Sequence, residues 1–64
     1  MTKEEAKAKA EERVYCYYSA QTIARVSERL GYKVKISKTG KLLNRAELED
    51  KLIEYYTNLF SDCL

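Results

Sequence analysis

The chain has 64 residues, with 12 Lys and Arg against 10 Asp and Glu and a net charge of +2. This length suits one small domain, spanning 1–64, with a marginal core. Without His, and with only two Cys, we expect no enzyme, no metal site and no other cofactor. No apolar run is long enough to cross a membrane, and the N-terminus lacks a signal peptide's apolar core, so we expect a cytoplasmic protein without a membrane partner.

The first predicted element is a helix that begins after Thr2. Thr2 and Glu5 have the spacing of a capping box, in which the hydroxyl accepts a backbone N–H of the first turn. Residues 3–13 are Ala, Glu, Lys and Arg, which are strong helix formers. Because the apolar residues among them are alanines, we expect this stretch to lie on the surface.

An apolar stripe then continues toward Gly31. Its members recur at three and four residues, as on one face of an amphipathic helix, and include Ile23 and Leu30. The stripe extends back through Cys16, which favours one long N-terminal helix, although Ser19 has the character of a cap for a second helix. Gly31 stands where a left-handed C-cap would fall.

A β-hairpin is predicted at about 33–43. Apolar and basic residues alternate from Tyr32 to Ile36, with the period of two that is typical of a half-buried strand. The stretch 37–41 reads as a turn in which Gly40 can adopt a positive φ. The alternative is an extended loop without strands.

A C-terminal helix is predicted at about 45–60. Asn44 and Glu47 repeat the capping spacing, and the apolar face that follows is wide. The predicted fold is therefore α+β and mostly helical, with a long N-terminal helix, a short hairpin and a C-terminal helix.

Basic charge is concentrated in the middle of the chain. Residues 32–45 carry five basic side chains and no acidic one, whereas residues 46–64 have a net charge of −4. Lysines that replace counterions on phosphates give salt-dependent affinity for nucleic acid, so we expect a regulatory module that binds DNA or RNA. The predicted contact residues are Lys33, Lys35, Lys38, Lys41 and Arg45, extended by Arg25 and Arg29.

A solvated hairpin face or a protein partner would explain the same charges. Lysines also guard exposed edge strands against aggregation. The alternative function is a protein-binding adaptor or inhibitor of the mobile-element type, with an acidic protein surface as the partner.

Six tyrosines are the second unusual feature of the composition. Consecutive helical residues point about 100° apart, so the tyrosine clusters cannot all face one core. Tyr is common at interface hot spots, and a second copy would supply the core that a short chain lacks. We therefore expect a homodimer whose interface includes Tyr15, Tyr18, Ile53, Tyr56 and Phe60.

The two cysteines leave three possibilities open. Cys16 and Cys63 are read first as small, buried or half-buried apolar residues, since a cytosolic setting keeps thiols reduced. A disulfide between them would close a long loop. A reactive thiol is the third possibility.

Residues 23–56 resemble the helix–extended loop–helix pattern of SAP-type domains. The resemblance rests on Leu30-Gly31-Tyr32 at the exit of the first helix and on Gly40-Lys41 before the second. Three residues, 42–44, separate this Gly-Lys from the helix, so the connection is longer than in the family pattern. The resemblance implies a small DNA- or RNA-binding fold, with contacts from Lys41, Arg45 and the other loop lysines.

Overall fold

The computed structural model describes residues 2–61, and in them the chain folds as three α-helices. These are α1 (Lys3–Glu12), α2 (Ala20–Arg29) and α3 (Arg45–Ser61), and a single π-helical turn, Arg13–Tyr17, extends α1. The described residues contain no strand and no sheet, so the predicted α+β class is wrong and the fold is all-α. None of these helices has the length and apolar character needed to cross a bilayer.

Helix α1 begins where the sequence predicts, but it is not a surface appendage. The Thr2 hydroxyl accepts a hydrogen bond from the Glu5 backbone N–H at 3.2 Å. Ala6 and Ala10 are fully buried as α1 packs along α3. Small side chains let two helices approach closely, so an alanine-rich stretch can form a tight interface despite its low hydrophobicity.

The predicted long N-terminal helix is interrupted at Tyr18, which is in an extended conformation. The Ser19 hydroxyl accepts a hydrogen bond from the Thr22 backbone N–H at 3.3 Å, so Ser19 caps a separate helix, α2. A serine side chain can accept hydrogen bonds from the first N–H groups of a helix, so interrupting the helix at this point costs little stability. As a result, α1 and α2 pack on α3 as separate elements.

Helix α2 ends at the predicted glycine. Gly31 has a φ of +85°, in the left-handed region that favours glycine. Its N–H donates to the Glu28 carbonyl at 3.1 Å, and the Tyr32 N–H donates to the Ser27 carbonyl at 2.8 Å. This pair of bonds is a Schellman C-cap, and it turns the chain away from α2.

The core lies on α3 and is covered by α1, the π-turn and α2. Side chains from all four elements meet there, and half-buried residues such as Val26 and Leu30 pack against them. The buried cluster consists of Ala10, Val14, Ile23, Leu48, Leu52, Ile53 and Tyr56.

The predicted hairpin at 33–43 is a loop with one isolated antiparallel bridge, between Ile36 and Leu42. Further along, the side chain of Asn44 occupies the backbone groups that a second strand would use. Its Oδ1 accepts from the Lys35 N–H at 3.0 Å, and its Nδ2 donates to the Lys33 carbonyl at 2.9 Å. Because α3 begins at Arg45, directly after Asn44, no second strand continues from the single Ile36–Leu42 bridge.

Candidate nucleic-acid interface

We call residues 32–45 the basic segment, and its tip is a tight turn. The Gly40 N–H donates to the Ser37 carbonyl at 3.0 Å, and the Lys41 N–H donates to the Ser37 hydroxyl at 3.0 Å. Gly40 has a φ of +87°, which a residue with a Cβ adopts only with strain. The turn therefore presents Lys38 at an exposed tip of fixed shape.

Asn44 ties the base of the segment together. Its two bonds to the backbone of Lys33 and Lys35 hold the entering chain against the start of α3. The sequence predicts Asn44 as the cap of the C-terminal helix, with Glu47 as its partner. Instead the side-chain amide of Asn44 binds the backbone of the loop. Glu47 accepts only a long hydrogen bond of 3.4 Å from Asn44 Nδ2.

All seven predicted contact residues are exposed. Arg45 is engaged in part, because its Nε lies 3.5 Å from the Glu49 carboxylate. The other six make no ion pair with any residue in 2–61, and their charges are open to a ligand: Lys33, Lys35, Lys38, Lys41, Arg25 and Arg29.

The two arginines of α2 lie on a different side of that helix from the basic segment. Ile36 and Leu42 form an apolar groove of about 500 Å³ with one side of α2, at Ala20 and Ala24. Arg25 and Arg29 instead line a shallow depression with Thr22, Val26 and Glu28.

Acidic side chains gather elsewhere. A polar groove of about 510 Å³ runs between α1 and α3, and its walls carry carboxylates such as Asp50 and Glu54 beside Lys3 and Lys7. Mixed charges of this kind do not favour a polyanion. The basic segment, by contrast, contains five basic residues and no acidic one.

Most of the predicted tyrosine interface belongs to the monomer's own core. Ile53 and Tyr56 are 7 % and 8 % exposed, and the Tyr18 and Tyr56 hydroxyls are 2.8 Å apart. The half-buried Phe60 stacks on Tyr56, with the Arg13 guanidinium over both rings at 5.2 and 5.3 Å. Arg13 belongs to the π-turn, whereas both rings belong to α3. Residue spacing in the sequence does not predict this contact between distant elements.

Tyr15 differs from the other predicted interface residues. It projects from the π-turn and is 51 % exposed, at one end of the polar groove between α1 and α3. It is therefore accessible to a partner.

Burial and the hydrogen bond between the Tyr56 and Tyr18 hydroxyls raise the pKa of Tyr56 to about 12, and this outweighs the lowering effect of the nearby Arg13 charge. A buried phenolate would lose its hydration, so the neutral hydroxyl is favoured. Tyr56 is thus a structural group, held neutral in the core.

Cys16 is exposed on the π-turn, which corrects its interpretation as a buried or half-buried apolar residue. Cys63 and the disulfide considered for it lie outside the described residues. Across residues 2–61 no three His, Cys, Asp or Glu side chains are grouped so as to hold a metal ion.

Comparisons of the chain with protein-family models, curated proteins and solved structures find no match. The resemblance to SAP-type domains stays a prediction. The functional argument therefore rests on the geometry of the basic segment.

Proposed function

We propose that this chain is a small non-enzymatic module that binds the phosphate backbone of nucleic acid through the basic segment. The observation that carries this proposal is a run of exposed lysines without ion-pair partners in residues 2–61, on a stretch that has no acidic residue. Each lysine that meets a phosphate releases condensed counterions and so adds affinity. The lysines concerned are Lys33, Lys35, Lys38 and Lys41.

The internal hydrogen bonds of the segment support the proposal. Asn44 fixes the base of the loop, and Ser37 and Gly40 fix its tip. A loop that is ordered before binding loses less conformational entropy when it meets a ligand. The position of Arg45 at the start of α3 adds a cation beside the positive end of a helix dipole, although Glu49 partly neutralises it.

A pair of triple variants tests the proposal. Lys33→Ala, Lys35→Ala and Lys41→Ala together remove three charges from the basic segment, and Lys3→Ala, Lys7→Ala and Lys9→Ala remove three from the exposed face of α1. Binding to mixed-sequence duplex DNA and to RNA is measured by fluorescence anisotropy at low salt. We expect the loop variant to lose at least about tenfold in affinity and the α1 variant to lose much less.

Equal losses in the two triple variants would refute the basic segment as the contact surface. Absence of binding by the unmodified chain to any nucleic acid at low salt would refute the function itself. All six lysines are exposed, so both variants should keep the thermal unfolding transition of the unmodified chain.

One observation favours the alternative, an acidic protein surface. Leu43 is 63 % exposed among the lysines, and apolar contacts suit a protein partner better than a phosphate chain. Leu43→Ser should leave nucleic-acid affinity unchanged within about twofold under our proposal. A large loss of nucleic-acid affinity in this variant would contradict a backbone-contact mode.

We also propose that the chain self-associates through apolar side chains that the monomer leaves uncovered. Tyr17 and Leu59 are 74 % and 43 % exposed, and Tyr15 is accessible as well. Since Ile53 and Tyr56 are already buried in the monomer, we expect a dimer to use outer residues such as these.

A further inference from the structure

Helix α2 carries a stripe of three long polar side chains. Gln21, Arg25 and Arg29 follow each other at four-residue intervals, so they lie along one side of the helix, and all three are exposed. Ile23 and Ser27 are buried on the other side. The stripe is therefore fixed in direction by the packing of α2 on the core.

These three side chains are not used within the described part of the molecule. None of them takes part in a side-chain hydrogen bond or an ion pair with residues 2–61. On α3, by contrast, basic residues are paired with carboxylates one turn away, as in Arg45 with Glu49. The side chains of Gln21, Arg25 and Arg29 therefore have hydrogen-bond donors that are exposed to solvent and bind no other side chain within residues 2–61.

The chemistry of the stripe matches the edges of DNA bases. Arginine binds guanine O6 and N7 through two donors, and glutamine binds adenine N6 and N7 in the same two-point manner. The major groove of B-form DNA admits an α-helix, and ten helical residues span about 15 Å. Side chains of these types on one exposed helix side can read base sequence.

The position of the basic segment supports the same placement. Ile36 and Leu42 of the segment line one groove with Ala20, Gln21 and Ala24 of α2, so the segment borders the Gln21 end of the stripe, while Arg25 and Arg29 lie on the side of the helix away from it. A helix in the major groove is bordered by phosphates of the DNA backbone. Lysines beside the helix would contact these phosphates and set its register, as backbone contacts do in protein–DNA complexes.

We infer that α2 lies in the major groove of duplex DNA and reads base edges with Gln21, Arg25 and Arg29. This inference rests on the proposed function and narrows it to sequence-specific binding of B-form DNA. The major groove of A-form RNA is too deep and narrow for side chains to read, so duplex RNA is not the ligand in this mode.

The first test is a selection. The full chain is incubated with a random-sequence duplex DNA library, and bound molecules are amplified and sequenced over several rounds. We expect enrichment of a short motif that contains guanine. Binding to mixed-sequence duplex without any enrichment would overturn the inference and leave the proposed function standing, whereas no binding to mixed-sequence duplex at low salt would overturn both.

The second test uses charge-conserving variants on the selected duplex. Arg25→Lys and Arg29→Lys keep the positive charge but lose the two-donor fork, so each should lower affinity for the selected site by about tenfold. Each should also relax discrimination at one base pair while keeping mixed-sequence affinity within about twofold.

Arg13→Lys is the matched control, because it makes the same change outside α2 and the basic segment, keeps a cation over the Tyr56 and Phe60 rings, and should alter neither affinity. If Arg25→Lys and Arg29→Lys both retain full affinity for the selected site, the arginines do not read bases. Equal binding to the same sequence as duplex RNA would also overturn the inference.

Discussion

Two serines of the α2 region show how burial decides the role of a residue. The Ser19 hydroxyl is exposed and caps α2, whereas the Ser27 hydroxyl is fully buried without a hydrogen-bond partner in residues 2–61. A cap stabilises a helix. A buried hydroxyl without a partner destabilises the fold, because it loses its hydrogen bonds to water and gains none in the protein. The sequence offers Ser19 as a candidate cap, whereas the burial of Ser27 follows only from tertiary packing.

The same substitution should therefore have opposite effects at the two serines. We expect Ser19→Ala to lower the free energy of unfolding by about 1 kcal/mol, and Ser27→Ala to raise it by a similar amount. Urea titration followed by circular dichroism measures both variants, and each serves as the control for the other. Destabilisation of equal size in both would contradict the assignment of Ser27 as unsatisfied.

Tyr56 should make the fold sensitive to alkali. Its pKa is raised from 10.0 to about 12 by burial and by the Tyr18 hydroxyl, so the folded chain keeps this proton more tightly than the unfolded chain. This contribution to stability is fully present below pH 10 and is lost as the pH rises from 10 to about 12.

A tyrosinate absorbance titration tests this assignment. Tyr56→Phe should remove a component that titrates near pH 12, whereas Tyr17→Phe, at an exposed ring, should leave that late component in place. Unchanged late titration in Tyr56→Phe would show that another group is responsible.

At the scale of elements, signals that act within a few residues predicted two helix ends, although the side chain of Asn44 does not cap α3 as the same kind of signal predicted. The Thr2 cap and the Gly31 C-cap are confirmed, because each depends on bonds to residues one turn away. The predicted hairpin and the long N-terminal helix are wrong. In those two regions, side-chain bonds from Asn44 and Ser19 satisfy the backbone in ways that a hydropathy pattern does not encode.

Asn44 should control the order of the basic segment. Asn44→Ala removes the bonds to Lys33 and Lys35, so the Lys35 amide should exchange its hydrogen faster by about fivefold to tenfold. Asn58→Ala, at an exposed position of α3, is the control and should leave that exchange rate unchanged. Full protection of the Lys35 amide in Asn44→Ala would contradict the role of this side chain.

At the scale of the whole molecule, the sequence predicted the basic part of the candidate site but not its aromatic part. Charge counts along the chain do not depend on the fold, and the predicted lysines are exposed. The interface expected at Ile53 and Tyr56 depended on α3 being uncovered, and α1 with the π-turn covers it. Gln21 was overlooked because it is uncharged, and it stands out only once the exposed side of α2 is known.

Self-association should depend on an outer residue of α3. Leu59→Ser changes a side chain that is 43 % exposed, so it should alter the stability of the monomer little while weakening a dimer. Sedimentation at micromolar concentration should show a dimer for the unmodified chain and a monomer for the variant. A stable monomer for the unmodified chain would refute self-association.

The salt dependence of DNA binding tests the role of the basic segment most directly. Affinity for mixed-sequence duplex DNA is measured across a range of salt concentrations for the unmodified chain and for the variant with Lys33→Ala, Lys35→Ala and Lys41→Ala. Loss of three phosphate contacts should reduce the slope of log affinity against log salt by roughly 2 to 3 units. An unchanged slope would show that these lysines do not meet phosphates.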